Sequence, residues 1–520
     1  MSSNFSRVLS AELEGIEAMA IEVETDVHVG LHNFTIVGLA DKALSESKER
    51  INAALKNIKV RPPAAENRRV IVNLAPADIK KTGSQYDLPI AIGYLQATGQ
   101  LEGSSVDLEE TFIVGELALS GQVRPISGAL SIARCAKKQQ AYELLVPAAN
   151  AAEAAMVEGL RVIPIKNLRQ AIAHLESRQP IPPMPVTRVN DIPEEFSITI
   201  ADIKGQQQAK RALMIAAAGG HNVLMSGPPG TGKTMLAQAL VSILPPATDQ
   251  EVIEMTQIYS AAGLLGEEPC IKRRPFRSPH QTASPAAIFG GGGTPRPGEI
   301  SLAHRGILFL DEIPEFRRDL LESLRQPLES GRAVVSRVRG NLEFPARFIL
   351  IAAMNPCPCG YYQDKEKVCS CPMAQIQRYQ KKLSGPLLDR IDIQIIVPRL
   401  DIEELRQKTT EADIQSWQST REQVHRARLM QQQRFSETGT KLVTNSEMSS
   451  RLVESLIRPD STAEELIKKL FQGNKLSPRS YYRLLKTART IADLEASDQV
   501  RKEHVSEAYG FRVREDDERE

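Results

Sequence analysis

The sequence predicts an α/β protein in three parts: a mixed α/β domain in front, a central α/β core with a parallel sheet, and a helical region behind. Three observations predict it. Ser226-Gly227-Pro228-Pro229-Gly230-Thr231-Gly232-Lys233-Thr234 fits the phosphate-loop spacing of Gly, four residues, then Gly-Lys-Thr, with an apolar strand at 222–225 before it and a helical pattern at 235–241 after it. The continuous apolar run 306–310, ending in Asp311 and Glu312, reads as a buried parallel strand whose carboxyl end faces that loop. Residues from about 397 to 510 are helix-rich and suit an all-α lid.

Bulk properties bound the rest. A chain of 520 residues is too long for one core, so two to four domains are expected. With 42% hydrophobic and 25% charged residues it reads as globular and soluble, and a formal net charge of +1 leaves any nucleic-acid contact to local basic patches. No apolar run approaches a membrane span and no signal-peptide segment follows Met1, so a cytoplasmic location without membrane partners is expected. Six cysteines in such a chain do not suggest a disulfide framework.

In chain order, residues 1–178 form the front domain. Residues 19–27 and 70–74 read as strands, 88–95 as a helix entered through Pro89, 115–125 as a tight strand pair, and 129–138 as an alanine-rich helix. Through Gly115-Glu116-Leu117, Gly121-Gln122-Val123 and Pro125-Ile126-Ser127-Gly128 this domain resembles the Lon-protease-like fold shared with a small-subunit ribosomal protein. The resemblance implies a peptidase, but Asp87 stands near the nucleophile position and no lysine follows Gly128 until Lys137. Ser84 then lacks a positioned amine to take its proton, which makes it a poor nucleophile. A non-catalytic scaffold is the expectation. Residues 179–195, rich in proline, are a stiff linker to the core.

The core, 196–396, carries the chemistry. Glycines 227, 230 and 232, with Pro228, Pro229 and Thr231, let backbone N–H groups close around phosphates at a helix start. Lys233 is expected to reach the β- and γ-phosphates of ATP, Thr234 and Asp311 to hold Mg²⁺, and Glu312 to orient or deprotonate the attacking water. A third apolar strand, 347–354, ends at Asn355, placed to hold the same water. This order matches AAA+ ATPases, with Asn355 as the first sensor and Asp202 to Leu213 resembling the segment that seats the adenine. Leu387-Leu388-Asp389-Arg390-Ile391 resembles the arginine-finger region of magnesium chelatase motors and MCM helicases, which implies that Arg390 reaches a neighbouring subunit's nucleotide; a salt bridge to Asp389 or Asp392 is the competing reading. Arg479, in the lid at 397–510, matches the second sensor, and 511–520 is a charged tail.

Between the two phosphate-site motifs lies a long insert resembling the helix-2 insert of that branch. After them, 332–344 reads as a hairpin turning at Gly340-Asn341, where the branch carries its pre-sensor-1 hairpin. Arg337 and Arg339 there are expected to follow a DNA phosphate backbone in a ring's pore. Phe289-Gly290 keeps a protein-remodelling motor, which grips chains by an aromatic-glycine loop, in competition. Cys357, Cys359, Cys369 and Cys371 form two close pairs that suit a tetrahedral zinc knuckle, with four free thiols as the alternative.

Together with Arg277-Ser278-Pro279-His280, Pro297-Gly298-Glu299-Ile300-Ser301-Leu302-Ala303-His304, Asn355-Pro356-Cys357-Pro358-Cys359-Gly360 and Ala488-Arg489-Thr490-Ile491-Ala492-Asp493-Leu494, these marks resemble the YifB/ComM family of magnesium-chelatase-like ATPases over nearly the whole chain. Gln281, where a second histidine is expected, is a small departure. The resemblance implies a hexameric DNA helicase that uses ATP and Mg²⁺ to drive branch migration, acting on single-stranded or branched DNA with recombination proteins during natural transformation. A protein-remodelling or metal-chelatase-type motor is the alternative.

Overall fold

The computed structural model describes residues 4–39, 41–65, 67–101, 107–188, 196–266, 268–292, 295–337, 340–364, 366–473 and 476–512. The chain forms two compact units, and the first is discontinuous: Met1–Asp191, Thr248–Lys272 and Gly291–Pro297, against Ile192–Ala247, Arg273–Gly290 and Gly298–Glu520.

In the first unit, period-two burial along Glu17–Val29, with Ile21, Val23, Thr25 and Val27 inward, makes one face of a long strand apolar. It pairs antiparallel with Phe5–Glu14 and Arg68–Ala75 at the centre of a seven-stranded mixed sheet. Thr111–Ile113, Glu143–Pro147 and Arg161–Ile165 extend the sheet in parallel. Helix Asp87–Ala97, entered through Pro89, is apolar nearly all round and is buried. At Gly93 a Cβ would lie 2.9 Å from Thr25 Oγ1, so only glycine lets the helix lie this close to the sheet. The strand pair Glu116–Leu117 with Val123–Arg124 and the helix Ala129–Lys138 form where the sequence predicts them.

Two segments that the sequence places outside the front domain pack with this unit, one expected in the ATPase core and one expected as a linker. Helix Asp249–Ala262, opened by a capping box of Thr248 and Glu251, contributes Gln257, whose Nε2 donates to Ile16 O at 2.7 Å and whose Oε1 accepts from Arg134 at 2.8 Å. The proline-dense stretch after 178 is also held here, Met184 N donating to Val162 O at 2.8 Å and Thr187 N to Ala155 O at 3.1 Å.

The second unit is built on a five-stranded parallel sheet in the order Phe276–Arg277, Ile307–Leu310, Ile349–Met354, Val223–Ser226, Ile393–Ile396. Its central strands are buried on both faces, which is why they read as unbroken apolar runs. The helices Glu411–Glu437, Ser461–Gln472, Pro478–Leu494 and Lys502–Gly510 share one apolar core with this sheet. Buried Arg428 and Gln431 donate to Ala217 O and Ala218 O, satisfying the end of helix Gln207–Gly219.

The hairpin forms, but its turn is not where the sequence puts it. Strand Gly340–Pro345 contains both Gly340 and Asn341, which pair with Arg337 and Ser336 of Arg332–Arg337. This register places buried Ala333 opposite buried Phe344 and lets Arg332 pair with Glu343. Packing at the hairpin's foot outweighs the turn preference of Gly-Asn.

Candidate nucleotide site

Three adjacent parallel strands end side by side, and each hands the chain directly to predicted site residues. Ser226 stands opposite Met354, and Leu310 opposite Ala352. The phosphate loop follows the first strand, Asn355 the second, and Asp311 and Glu312 the third. The carboxyl edge of a parallel sheet is where such folds bind ligands.

The loop is closed by its own residues. Gly230 and Gly232 take φ of +79° and +86°, conformations that favour glycine, and helix Lys233–Ala239 starts at once. At Gly227 a Cβ would lie 2.2 Å from Val397 O, so the loop backbone passes against the next strand's exit. Lys233 Nζ donates to Gly227 O at 2.7 Å, Pro228 O at 2.8 Å and Asn355 Oδ1 at 3.3 Å. Thr231 Oγ1 donates to Pro228 O at 3.0 Å. Burial lowers the Lys233 amine from its ordinary pKa, opposed by Asp311 and Glu312.

Thr234 Oγ1 donates to Asp311 Oδ2 at 3.2 Å. A hydroxyl and a carboxylate so close, both hard oxygen donors beside the phosphate loop, fit Mg²⁺. Glu312 takes φ +48°, rare for a residue with a side chain, and its N–H donates to Asp311 Oδ1 at 3.0 Å. Its carboxylate is exposed beside the loop's lysine.

A cleft of about 430 Å³ opens beside the loop, lined by Ile203, Lys204, Gly205 and Gln206 on one side and Ile396 and Pro398 on the other. Gln206 Nε2 bridges it by donating to Pro398 O at 2.8 Å. Val397 N donates to Ser226 O at 2.7 Å, which joins this cleft to the phosphate loop. Part of the segment expected to seat the adenine, Ile203 to Gln208, lines this cleft.

Arg390 and Arg479 converge elsewhere. Arg390 is buried, its Nη1 donating to Pro386 O at 2.5 Å and its Nη2 to Glu329. Arg479 Nη2 reaches the same Glu329 oxygen at 3.2 Å. Despite some burial, Arg390, then Arg479 and Arg483, hold the Glu329 carboxyl below its ordinary range. The intrachain partner of Arg390 is thus Glu329 and not Asp389 or Asp392, for Asp392 takes Arg483 Nη1 at 2.6 Å. Among the described residues, the buried Arg390 Nε meets no acceptor.

Cys357, Cys359, Cys369 and Cys371 come together, all four sulfurs lying within 4.8 Å of one another. Backbone N–H groups, that of Tyr361 first, pull the Cys359 thiol down to about 6. Arg339 and the side chain of Arg337 lie outside the described residues. Phe289, half-buried, ends helix Pro285–Phe289. In the first unit, Asp87 is gripped by Arg50 at 2.6 and 3.0 Å, Ser84 donates to Glu116, and Lys137 donates to Gly159 O. None of these contacts joins a serine to a lysine.

Sequence reasoning missed Glu329 and the Pro398 wall of the cleft. Neither leaves a local signal: one is an ordinary helical glutamate, the other acts through its carbonyl. Gly360 was legible only as part of a cysteine string.

Family models match most of the chain in three consecutive blocks. "Magnesium chelatase, subunit ChlI" matches residues 199–405, "Subunit ChlI of Mg-chelatase" 23–150, and "Magnesium chelatase, subunit ChlI C-terminal" 415–512. The competence protein ComM of Haemophilus influenzae is 42% identical over 510 residues, covering 97% of both chains. The uncharacterized protein YifB of Escherichia coli is 39% identical over 500 residues, covering 96% of this chain and 95% of that one. The magnesium-chelatase 38 kDa subunit of Acidiphilium rubrum is 32% identical over 179 residues, 30% of this chain and 51% of its own.

Proposed function

The chain belongs to the YifB/ComM family of magnesium-chelatase-like AAA+ ATPases, and from that premise we propose that it is an ATP-driven ring, a hexamer, that translocates on DNA and promotes branch migration during homologous recombination in natural transformation. The observation that carries the motor half is the set Lys233, Thr234, Asp311, Glu312 and Asn355 at three adjacent strand ends. The competence name of the Haemophilus relative supports the DNA half.

In this reading Lys233 exchanges the Gly227 and Pro228 carbonyls, which it now holds, for phosphate oxygens. The loop's backbone N–H groups and the helix start add positive potential at the same place. Thr234 and Asp311 hold Mg²⁺, whose charge would offset that of the phosphate oxygens. Glu312, exposed and beside them, orients the attacking water and takes its proton; Asn355 fixes that water from the adjacent strand. The cleft between Gln206 and Pro398 takes the adenine. Arg390 serves the neighbouring subunit as an arginine finger, an addition worth roughly 10³ to 10⁵ in rate where such fingers act. Arg479 is the second sensor, Arg337 and Arg339 contact DNA phosphates in the pore, and Zn²⁺ fills the four-cysteine loop. The site of action is the cytoplasm, with recombination proteins as partners.

One observation favours a second reading. Phe289, half-buried at a helix end, is followed by Gly290, the residue pair with which a protein-remodelling motor grips a chain.

The test is ATP hydrolysis with and without single-stranded and forked DNA, beside Lys233→Ala and the double change of Arg337 and Arg339 to Ala. Stimulation by DNA that is lost in both variants, while the double change keeps basal hydrolysis, is expected. Hydrolysis indifferent to DNA, and a loss of protein-stimulated hydrolysis on Phe289→Ala, would move the substrate to protein.

A further inference from the structure

The loop between Met354 and Met373 joins the γ-phosphate sensor to the next helix, and among its described residues it holds neither a helix nor a strand. Two backbone turns, Gly360 N to Cys357 O and Asp364 N to Tyr361 O, give it part of its order, and side chains supply the rest. The four sulfurs supply a plan: Cys357 Sγ lies 3.4 Å from Cys359 Sγ and 3.7 Å from Cys369 Sγ, and Cys359 Sγ lies 3.6 Å from Cys369 Sγ. A tetrahedral ion with zinc–sulfur bonds of about 2.3 Å needs sulfur–sulfur edges of about 3.8 Å. The three observed edges are those of one face of such a tetrahedron, and the fourth sulfur, Cys371 Sγ, lies within 4.8 Å of each of the other three.

Backbone donors point the same way. Cys359 N donates to Cys371 Sγ at 3.4 Å, Tyr362 N to Cys357 Sγ at 3.2 Å, and Cys371 N to Cys369 Sγ at 3.4 Å. These N–H groups hold three of the sulfurs in place around one centre, as hydrogen bonds to a metal's ligands do. Soft sulfur ligands in a closed tetrahedral set select Zn²⁺ over Mg²⁺ and leave no open position for catalysis.

What this loop touches gives the metal a task. Gly360, immediately after Cys359, takes φ +86°, and a Cβ there would lie 2.7 Å from Pro229 Cδ. The knuckle's backbone is therefore seated on the phosphate loop itself. Two residues before Cys357, Asn355 accepts from Lys233 Nζ at 3.3 Å. From the far end Gln380 Nε2 donates to Pro356 O at 3.2 Å, so the loop is also pinned behind the sensor.

Building on the zinc assignment proposed above, we infer that one Zn²⁺ held by Cys357, Cys359, Cys369 and Cys371 keeps Gly360 pressed on Pro229 and Asn355 on Lys233, so that nucleotide affinity depends on the metal. The ion acts as a positioning element for the phosphate loop and takes no part in hydrolysis. Cysteines on either side of the span 360–368 are tied into one point, and removing that point frees both the sensor and the surface that backs Pro229.

The experiment combines metal content by mass spectrometry with titration of a fluorescent ATP analogue, on the full chain. Samples are the protein as purified, after chelation, after zinc is restored, and the variants Cys369→Ser and Gly360→Ala. The expected result is one zinc per chain, a weakening of nucleotide binding by about tenfold on removal, and recovery on restoration. Gly360→Ala should keep its zinc yet bind nucleotide more weakly, because the cysteines are intact and only the seat on Pro229 is altered. Circular dichroism on the chelated protein separates local loosening from unfolding, and Gly360→Ala reports even if Cys369→Ser fails to fold. A chain without metal would overturn the zinc assignment and the inference together. Zinc present, with nucleotide affinity unchanged by its removal and by Gly360→Ala, would leave the assignment standing and overturn the inference alone.

Discussion

Asp392 shows what a single buried charge does in this protein. Burial pushes its carboxyl upward, but Arg483, then His221 and the Asn222 N–H, hold it well below the ordinary carboxylate range. Arg483 Nη1 donates to it at 2.6 Å and Asn222 N at 3.1 Å. A folded pKa below the unfolded value near 3.9 means that the pair stabilises above about pH 4 and loses its contribution as the pH falls through the folded value. Asp392→Asn, which strands Arg483 and His221, should cost about 3–5 kcal/mol, read from denaturant midpoints. The exposed pair Lys382 with Glu315, 3.0 Å apart, should cost no more than about 1 kcal/mol when broken. Sequence does not distinguish these two aspartate- and glutamate-bearing pairs, because the partners of Asp392 are 91 and 170 positions away. The phosphate loop, by contrast, was legible because its chemistry lies within nine consecutive residues. Gly227→Ala should abolish nucleotide binding and also lower the melting temperature, since its Cβ would lie 2.2 Å from the backbone oxygen of buried Val397; filter-bound or fluorescent nucleotide and a melting curve read the two effects.

Elements were legible in proportion to how local their causes are. Helix Ala129–Lys138 and the strands at 223–226, 307–310 and 349–354 announce themselves by alanine-rich composition and unbroken apolar runs. The hairpin was legible as an element but not in its register, which Ala333 and Phe344 decide from its far end. Helix Asp249–Ala262 falls by chain order within the ATPase core at 196–396, yet its neighbours are Ile16, Arg134 and Glu153. Nothing in its own periodicity names those partners. Arg390 lies between these cases: its motif is local, whereas Glu329, 61 residues earlier, is visible only in three dimensions.

For the whole molecule, that arginine gives a test of assembly. Arg390→Ala and Lys233→Ala should each be inactive alone, and mixing them should restore part of the ATP hydrolysis. An interface with an intact loop on one side and an intact arginine on the other then forms in the mixture. No recovery would place the work of Arg390 inside its own chain, with Glu329 as its permanent partner.

The discontinuity of the first unit sets the order of events at the ribosome. Its core includes Ser260 and Gln257, which meet Glu153, Arg134 and Ile16 within that unit. It also claims Gly291–Pro297, so emergence of residue 191 does not complete it. About a hundred more residues must be translated first, roughly 5–20 s at roughly 5–20 residues per second. Until Ser260 has emerged, the Glu153 carboxyl lacks its hydroxyl donor and the face that receives helix Asp249–Ala262 is bare. A nascent chain arrested between residues 191 and 248 would thus be a substrate for chaperones, and a gene fragment ending at the proline-rich stretch would yield an incomplete domain.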